Sequence, residues 1–163
     1  MSGVYLVVWD FEKNADTGVS LYDQILKNTK GGYPHITLFY SGKTLTTEEL
    51  NNFVSFKVFT NLVGNTKLGM QEAYVNTFQL SDGTWRHDCL LRLDEKATTL
   101  IEQARMMLVQ TSFPNKWQTF SMHPPHITLG IYDTAEGARK HADQVNAILS
   151  RKPRSVEIVG VTI

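Results

Sequence analysis

The sequence predicts an α+β fold built from two similar halves, and three observations support this prediction. The pentapeptide PHITL occurs twice, at residues 34–38 and at residues 125–129. Each copy lies within a series of strand-like segments that alternate with segments of helical period. No linker or low-complexity segment divides the chain, so residues 1–163 are predicted to form a single domain of two similar lobes.

The first half is predicted to contain two strands and two helices. Residues 3–9 are rich in β-branched and aromatic side chains, which is typical of a strand. Residues 19–28 carry apolar side chains at helical spacing, and a glycine pair ends that helix. The first PHITL copy then begins a strand, and residues 46–53 predict a short helix with acidic residues in its first turn.

The second half is predicted to contain a hairpin and two more helices. Strands over residues 67–80 and 85–93 flank Asp82-Gly83, a dipeptide typical of tight hairpin turns. The remaining predicted elements are a helix at 96–110, the second PHITL strand, a helix at 135–149 and a strand at 155–163.

The composition is that of a chain that can bury a core. Hydrophobic residues make up 42% and charged residues 20%, and 16 basic residues balance 16 acidic ones. A zero net charge argues against coating of long nucleic acids, but it allows a nucleotide in a local pocket. Cys89 is the one cysteine, so an intrachain disulfide is excluded. The start of the chain has no signal-peptide pattern and no apolar run reaches the length of a bilayer span, which predicts a cytoplasmic protein without membrane contact.

The repeated pentapeptide has a chemical logic as a strand. Alternation along the strand places His35 and Thr37 on one face and the aliphatic residues beside them on the other. The second copy does the same with His126 and Thr128. If the two strands lie side by side, two imidazoles and two hydroxyls meet on one face.

Such a group of side chains suits the cleavage of a phosphodiester. An unperturbed imidazole has a pKa near ~6.5, so one histidine can accept a proton while the other donates one. Threonine hydroxyls can donate hydrogen bonds to the non-bridging oxygens of the phosphate as charge develops. This chemistry needs neither a metal nor a cofactor, and the sequence leaves open which histidine is the base.

Two His-x-Thr-x motifs with hydrophobic residues at the x positions, about half a chain apart, resemble those of the 2H phosphoesterase superfamily. The resemblance implies a bilobal α+β fold in which two mainly antiparallel sheets, flanked by helices, surround a central cleft with pseudo-twofold symmetry. It implies catalytic roles for His35 and His126, phosphate-binding roles for Thr37 and Thr128, and no metal. One departure concerns the bacterial ligase-type members, which often carry arginine soon after the second motif, where this chain has Gly-Ile-Tyr.

The resemblance implies a metal-independent phosphodiesterase without an obligate protein partner. Its expected substrate is a nucleotide, a cyclic nucleotide or a short oligonucleotide that carries a 2′,3′-cyclic phosphate, a 2′-5′ linkage or a cyclic backbone. Both RNA-end processing and the destruction of an immune messenger fit this expectation. The alternative is a non-catalytic module that binds a nucleotide or an RNA end in the same cleft.

Five further residues are candidate substrate contacts. Tyr5 and Trp9 alternate along the first strand and could stack on a base, with burial in the core as the competing interpretation. Simple alternation places Tyr40 on the back of the first PHITL strand. Lys43 lies in the loop after that strand, and Tyr132 lies just beyond the second motif.

Other polar residues are expected to have structural or surface positions. Arg86 is either a phosphate clamp or a solvated surface arginine. His87 and Cys89 share a strand face, but two ligands are too few to hold a metal ion. His141 is predicted to face solvent on the last helix.

Overall fold

The computed structural model describes residues 2–9, 35–41, 67–111, 124–151 and 155–162, together with Thr46 and Glu48. The predicted helix at 19–28, most of the one at 46–53, and Lys43 lie outside the described residues.

The described part of the chain contains six strands and two long helices. In chain order they are β1 (Ser2–Trp9), β2 (His35–Ser41), β3 (Lys67–Gln79), β4 (Trp85–Leu93), α1 (Glu95–Thr111), β5 (His126–Tyr132), α2 (Ala135–Arg151) and β6 (Ser155–Thr162). All eight were predicted from the sequence, with bounds that differ by at most a few residues, so an α+β fold is confirmed.

Short polar side chains fix where the two helices begin. Asp94 precedes α1, and its Oδ1 accepts a hydrogen bond from the backbone N–H of Ala97 at 2.8 Å. Thr134 precedes α2, and its Oγ1 accepts one from the backbone N–H of Gly137 at 3.2 Å. Each cap satisfies a backbone donor that has no partner within the first turn of a helix.

The predicted hairpin between β3 and β4 is confirmed. Gly83 has a φ of 87°, in the left-handed region that residues with a side chain rarely adopt. The backbone N–H of Leu80 donates to the carbonyl of Thr84 at 2.8 Å and closes the turn. Asp82 Oδ1 accepts hydrogen bonds from the backbone N–H and the hydroxyl of Thr84, at 2.9 and 2.6 Å.

All six strands join in one closed antiparallel sheet in the order β1-β2-β5-β4-β3-β6. The family resemblance implied two sheets, and the six described strands form two three-stranded halves that join into one sheet. One half is β2-β1-β6 and the other is β5-β4-β3. They meet where β2 pairs with β5 and where β3 pairs with β6. At each junction the edge strands of the two halves pair through their backbone N–H and C=O groups. This pairing leaves neither half with an open strand edge at the junction.

The strand registers repeat between the two halves. β2 meets β5 at Ile36 and Ile127, which are the same residue of the two PHITL copies. In each copy the leucine is an extra residue in the ladder: Leu38 falls between the partners of Val4 and Tyr5, and Leu129 between the partners of Cys89 and Leu90. Each PHITL strand therefore carries a β-bulge at the same place.

The hydrophobic core lies between the sheet and the helices. It contains Ile36 and Leu38 of β2 and their counterparts of β5, packed against apolar residues of both helices: Ala97, Ile101, Ala104, Ala142, Val145 and Leu149. Through these residues α1 and α2 pack against the same face of the sheet. The opposite strand face carries the histidines and threonines of the motifs.

His141 does not face solvent, which corrects the sequence prediction. It is 3% exposed and lies on the buried face of α2 with Ala138, Ala142 and Val145. These positions follow the helical spacing that packs against a sheet, so position 141 belongs to the inner face. None of the helices described by the structure is long and apolar enough to cross a membrane.

Candidate active site

The two PHITL strands lie side by side, which is the arrangement that brings their histidines and threonines onto one face. β2 runs antiparallel to β5, and the pair Ile36–Ile127 connects them. Both isoleucines belong to the core and are at most 1% exposed. The side chains on either side of this pair therefore point to the opposite face, away from the helices.

Four candidate side chains flank the isoleucine pair on that opposite face. Antiparallel pairing sets His35 across from Thr128 and Thr37 across from His126. All four are partly buried. In a regular ladder, opposed Cβ atoms are about 4.5–5.5 Å apart and diagonal residues about 7–8 Å apart. Each imidazole thus stands beside the hydroxyl of the other motif, and the two histidines lie diagonally across the junction.

The backbone just before β5 orients the second histidine. Nδ1 of His126 lies 2.9 Å from the carbonyl oxygen of Pro124. Because a carbonyl can only accept, Nδ1 must carry the hydrogen, so Nε2 is the atom that takes up or releases a proton. A ring fixed in one tautomer is prepared for proton transfer at a defined position.

An arginine of α1 supports the bulge in β2. Arg105 donates from Nη2 to the carbonyl of Thr37 at 2.7 Å and from Nε to the carbonyl of Leu38 at 2.9 Å. Burial lowers the pKa of Arg105, and the nearby carboxylate of Glu102 opposes that effect. The guanidinium holds the backbone of a candidate phosphate-binding residue, and the sequence alone did not indicate this role.

A second arginine lies on the histidine face and was also missed. Arg92 of β4 pairs directly with His126 of β5. Its neighbours Leu91 and Leu93 are in the core, so Arg92 points to the other side of the strand, together with His126. Detecting it from the sequence would have required the register between β4 and β5, which a long crossover hides.

The aromatic candidates of the first half have mixed positions. Tyr5 pairs with Thr37 and so shares the register of the site, whereas Trp9 pairs with Glu157 near the far end of β1. The bulge at Leu38 reverses the alternation beyond it, so the backbone register assigns position 40 to the face of Thr37 and not to the back. The side chains of Tyr5, Trp9 and Tyr40 are outside the described residues.

Tyr132 is not brought to the histidine face. The bulge at Leu129 shifts the alternation, and Tyr132 packs against the core beneath α2. Its hydroxyl lies 2.9 Å from Nδ1 of the buried His141, and the two rings meet edge to face. Burial raises the pKa of the Tyr132 phenol. The position of Tyr132 thus depends on one extra residue in the ladder.

The remaining polar residues of β4 have structural partners. Arg86 makes a two-pronged ion pair with the buried Asp88 at 2.7 and 2.9 Å and lies over the ring of Phe78. His87 shares a hydrogen bond of 2.8 Å with the hydroxyl of Thr77.

Cys89 is a core residue and not part of a reactive pair. Burial, assisted by the charge of Asp88, raises the pKa of its thiol to about 12. A thiol with that pKa is protonated near neutral pH and is a poor nucleophile. Among the described residues, no three His, Cys, Asp or Glu side chains are grouped closely enough to hold a metal ion.

Comparisons with known proteins find similarity among solved structures only. No protein-family model matches the chain, and no curated protein sequence matches it. Two solved structures of Usb1 from Kluyveromyces marxianus are similar over 99% of this chain and 97% of theirs. The one with uridine monophosphate has a TM-score of 0.47 at 8% identity, and the other has a TM-score of 0.45 at 11% identity.

Proposed function

We propose that the chain is a metal-independent phosphodiesterase of the 2H type, acting on nucleotide or short oligonucleotide phosphodiesters. The observation that carries this proposal is the pairing of Ile36 with Ile127. With that pair in register, two histidines and two threonines lie on the face opposite to the one that packs against α1 and α2. In this proposal the interior of the closed sheet is a cleft between two lobes.

The reaction uses the histidines as an acid–base pair. Water, or a neighbouring ribose hydroxyl, attacks the phosphorus while one imidazole takes its proton. The bond from phosphorus to the leaving oxygen breaks, and the other imidazole gives its proton to that oxygen. His35 and His126 lie diagonally across the junction, so a phosphate between them has one imidazole on each side.

The threonines hold the phosphate during this transfer. Thr37 and Thr128 each lie across from a histidine, where their hydroxyls can donate to the non-bridging oxygens. The backbone of Thr37 is fixed by Arg105, so its hydroxyl is presented in a defined direction. A donor that is positioned in advance loses little energy to reorganisation in the transition state.

The test is a cleavage panel run in EDTA with the wild type, His35→Ala and His126→Ala. The panel contains nucleoside 2′,3′-cyclic phosphates, 2′-5′ oligoadenylate and cyclic di- and trinucleotides, with products identified by mass. We expect the wild type to cleave at least one substrate in EDTA and each variant to lose about 10²–10⁴-fold in kcat.

A matched control is His87→Ala, which removes an imidazole from β4 that is bonded to Thr77. It should retain wild-type kcat. The proposal is wrong if either motif variant keeps full activity, or if EDTA abolishes cleavage. A wild type that binds nucleotides but cleaves none would instead be a binding module.

A further inference from the structure

The two halves of the closed sheet differ at one position beside the histidines. β1 pairs with β2 so that Val7 stands next to His35, whereas β4 pairs with β5 so that Arg92 stands next to His126. The backbone repeat predicts the same ladder partner for both histidines, but the partner of His35 is a valine and the partner of His126 is a cation. An arginine at a phosphate-handling site is well suited to binding, because its planar guanidinium matches two phosphate oxygens.

The hydrogen bonding of Arg92 is incomplete. Its Nε is buried and has no hydrogen-bond partner among the described residues. The nearest carboxylate oxygen, Oε1 of Glu72, lies 3.5 Å away in a contact that does not meet hydrogen-bond geometry. Buried donors in folded proteins are nearly always satisfied, so a donor without a partner calls for an explanation.

The remaining contacts of Arg92 hold the side chain in place. The guanidinium lies over the ring of Tyr74, with the carbon CZ 4.6 Å from the ring centroid. Stacking on an aromatic face leaves the edge of the guanidinium, with its N–H groups, available to an anion. The Arg92 side chain is 37% exposed, so it is accessible to solvent although its Nε is buried.

We propose that Arg92 binds the phosphate of the substrate from the side of His126, through its guanidinium group. This inference rests on the proposed function and deepens it. The positive charge of Arg92 attracts the phosphate toward His126. The two histidines are therefore not equivalent, although the backbone around them repeats. Arg92 is therefore a substrate-binding residue, and Tyr74 is a positioning residue that acts through it.

A purely structural ion pair is the competing explanation. Glu72 is 56% exposed, and ion pairs between such exposed groups contribute little to stability. The two explanations predict opposite results for Glu72→Gln. If the ion pair is the role of Arg92, Glu72→Gln and Arg92→Ala have the same effect. If Arg92 binds phosphate, Glu72→Gln leaves phosphate binding intact or improves it, because a competing carboxylate is removed.

The experiment has a catalytic arm and a binding arm. The catalytic arm measures kcat and KM on the best substrate of the panel for the wild type, Arg92→Ala, Arg92→Lys and Glu72→Gln. We expect Arg92→Ala to lose about 10²–10³-fold in kcat. Lysine should restore only part of this loss, because it cannot bind two oxygens in one plane. Added guanidinium should restore part of the activity of Arg92→Ala.

The binding arm measures adenosine 3′-monophosphate by calorimetry. We expect Arg92→Ala to bind it at least about tenfold more weakly than the wild type, the size of one lost charge-assisted contact. Arg139→Ala is the matched control, because Arg139 is an exposed arginine of α2. That control should match the wild type in both arms, and thermal unfolding should confirm that every variant is folded.

The outcomes distinguish the role of Arg92 in phosphate binding from the phosphodiesterase activity itself. Wild-type kcat and wild-type nucleotide binding in Arg92→Ala would overturn the role of Arg92 and leave the phosphodiesterase standing. A wild type that cleaves nothing but binds the nucleotide through Arg92 would overturn the enzyme and keep the phosphate site. A wild type that neither cleaves nor binds would overturn both.

Discussion

The two halves of the closed sheet share a backbone but differ in chemistry. In each half a PHITL strand carries a bulge at its leucine, pairs on one side with the other PHITL strand, and pairs on the other side with a central strand. Yet Val4 on β1 corresponds to Cys89 on β4, and Val7 corresponds to Arg92. The residues shared by the halves are those that sit at their junction.

The halves also differ in how a helix is attached to each. α1 binds the bulge of β2 through Arg105, which contacts the carbonyls of Thr37 and Leu38. α2 binds β3 through Asn146, whose side chain accepts from the N–H of Ala73 at 2.7 Å and donates to its carbonyl at 3.0 Å. Both helices fix an irregular strand with a polar side chain, but only the contact of α1 reaches a motif residue. The repeated backbone therefore carries different side chains around its two motifs, so the two sides of the candidate site are not equivalent.

The largest effect expected within this comparison is on the motif threonines. Thr37→Val and Thr128→Val should each lower kcat by about 10²–10³-fold, as the loss of one preorganised donor to a developing charge does. Since the two threonines hold equivalent positions in the register, the two losses should agree within about tenfold. Steady-state kinetics on a 2′,3′-cyclic nucleotide would measure them. Thr77→Val is the control, and losses that differ by much more than tenfold would break the equivalence of the halves.

The isoleucines at the junction test the same equivalence through stability. Ile36→Ala and Ile127→Ala should each lower the free energy of unfolding by about 2–5 kcal/mol, because both side chains are fully buried. The double variant should lose less than the sum, since the two residues are direct neighbours. Urea unfolding would measure this, with Ile148→Ala on α2 as a partly buried control. Losses below about 1 kcal/mol would contradict the tight junction.

The polar attachments of the helices should separate stability from activity. Arg105→Met should lower the free energy of unfolding by about 1.5–3 kcal/mol, as expected for hydrogen bonds from a charged donor. It should also lower kcat, because the backbone of Thr37 loses its support. Asn146→Leu should lower stability by about 1 kcal/mol and affect kcat much less than Arg105→Met does, because Asn146 contacts the backbone of Ala73, which belongs to neither motif. An Arg105→Met enzyme with wild-type kcat would remove the positioning role.

The smallest effect is expected at Tyr132. Tyr132→Phe removes the hydroxyl that contacts His141 and should lower the free energy of unfolding by about 0.5–1.5 kcal/mol. Because Tyr132 faces the core, kcat and KM should not change. Thermal unfolding and kinetics on the same preparation would measure both. A raised KM would indicate that the Tyr132 hydroxyl contacts the substrate, and this prediction would be wrong.

Local sequence patterns predicted the eight strands and helices that the structure describes, and they nominated the candidate catalytic residues. Strand and helix bounds followed from local periodicity and from Asp82-Gly83, because these signals act over a few residues. The repeat of PHITL predicted that His35 and His126 belong together, because two copies of one strand pattern suggest two equivalent positions. Neither inference needed knowledge of which strands are neighbours.

The closure of the sheet, the bulges and the surroundings of the histidines depend on contacts between residues that are distant in the chain. The bulge at Leu129 turned Tyr132 toward the core, and the spacing of α2 buried His141, both against the sequence prediction. Arg92 reached His126 only through the pairing of β4 with β5, and Arg105 reached Thr37 only through the packing of α1 on β2. Such contacts join residues that are distant in the chain. They depend on register and packing, which local side-chain patterns do not encode.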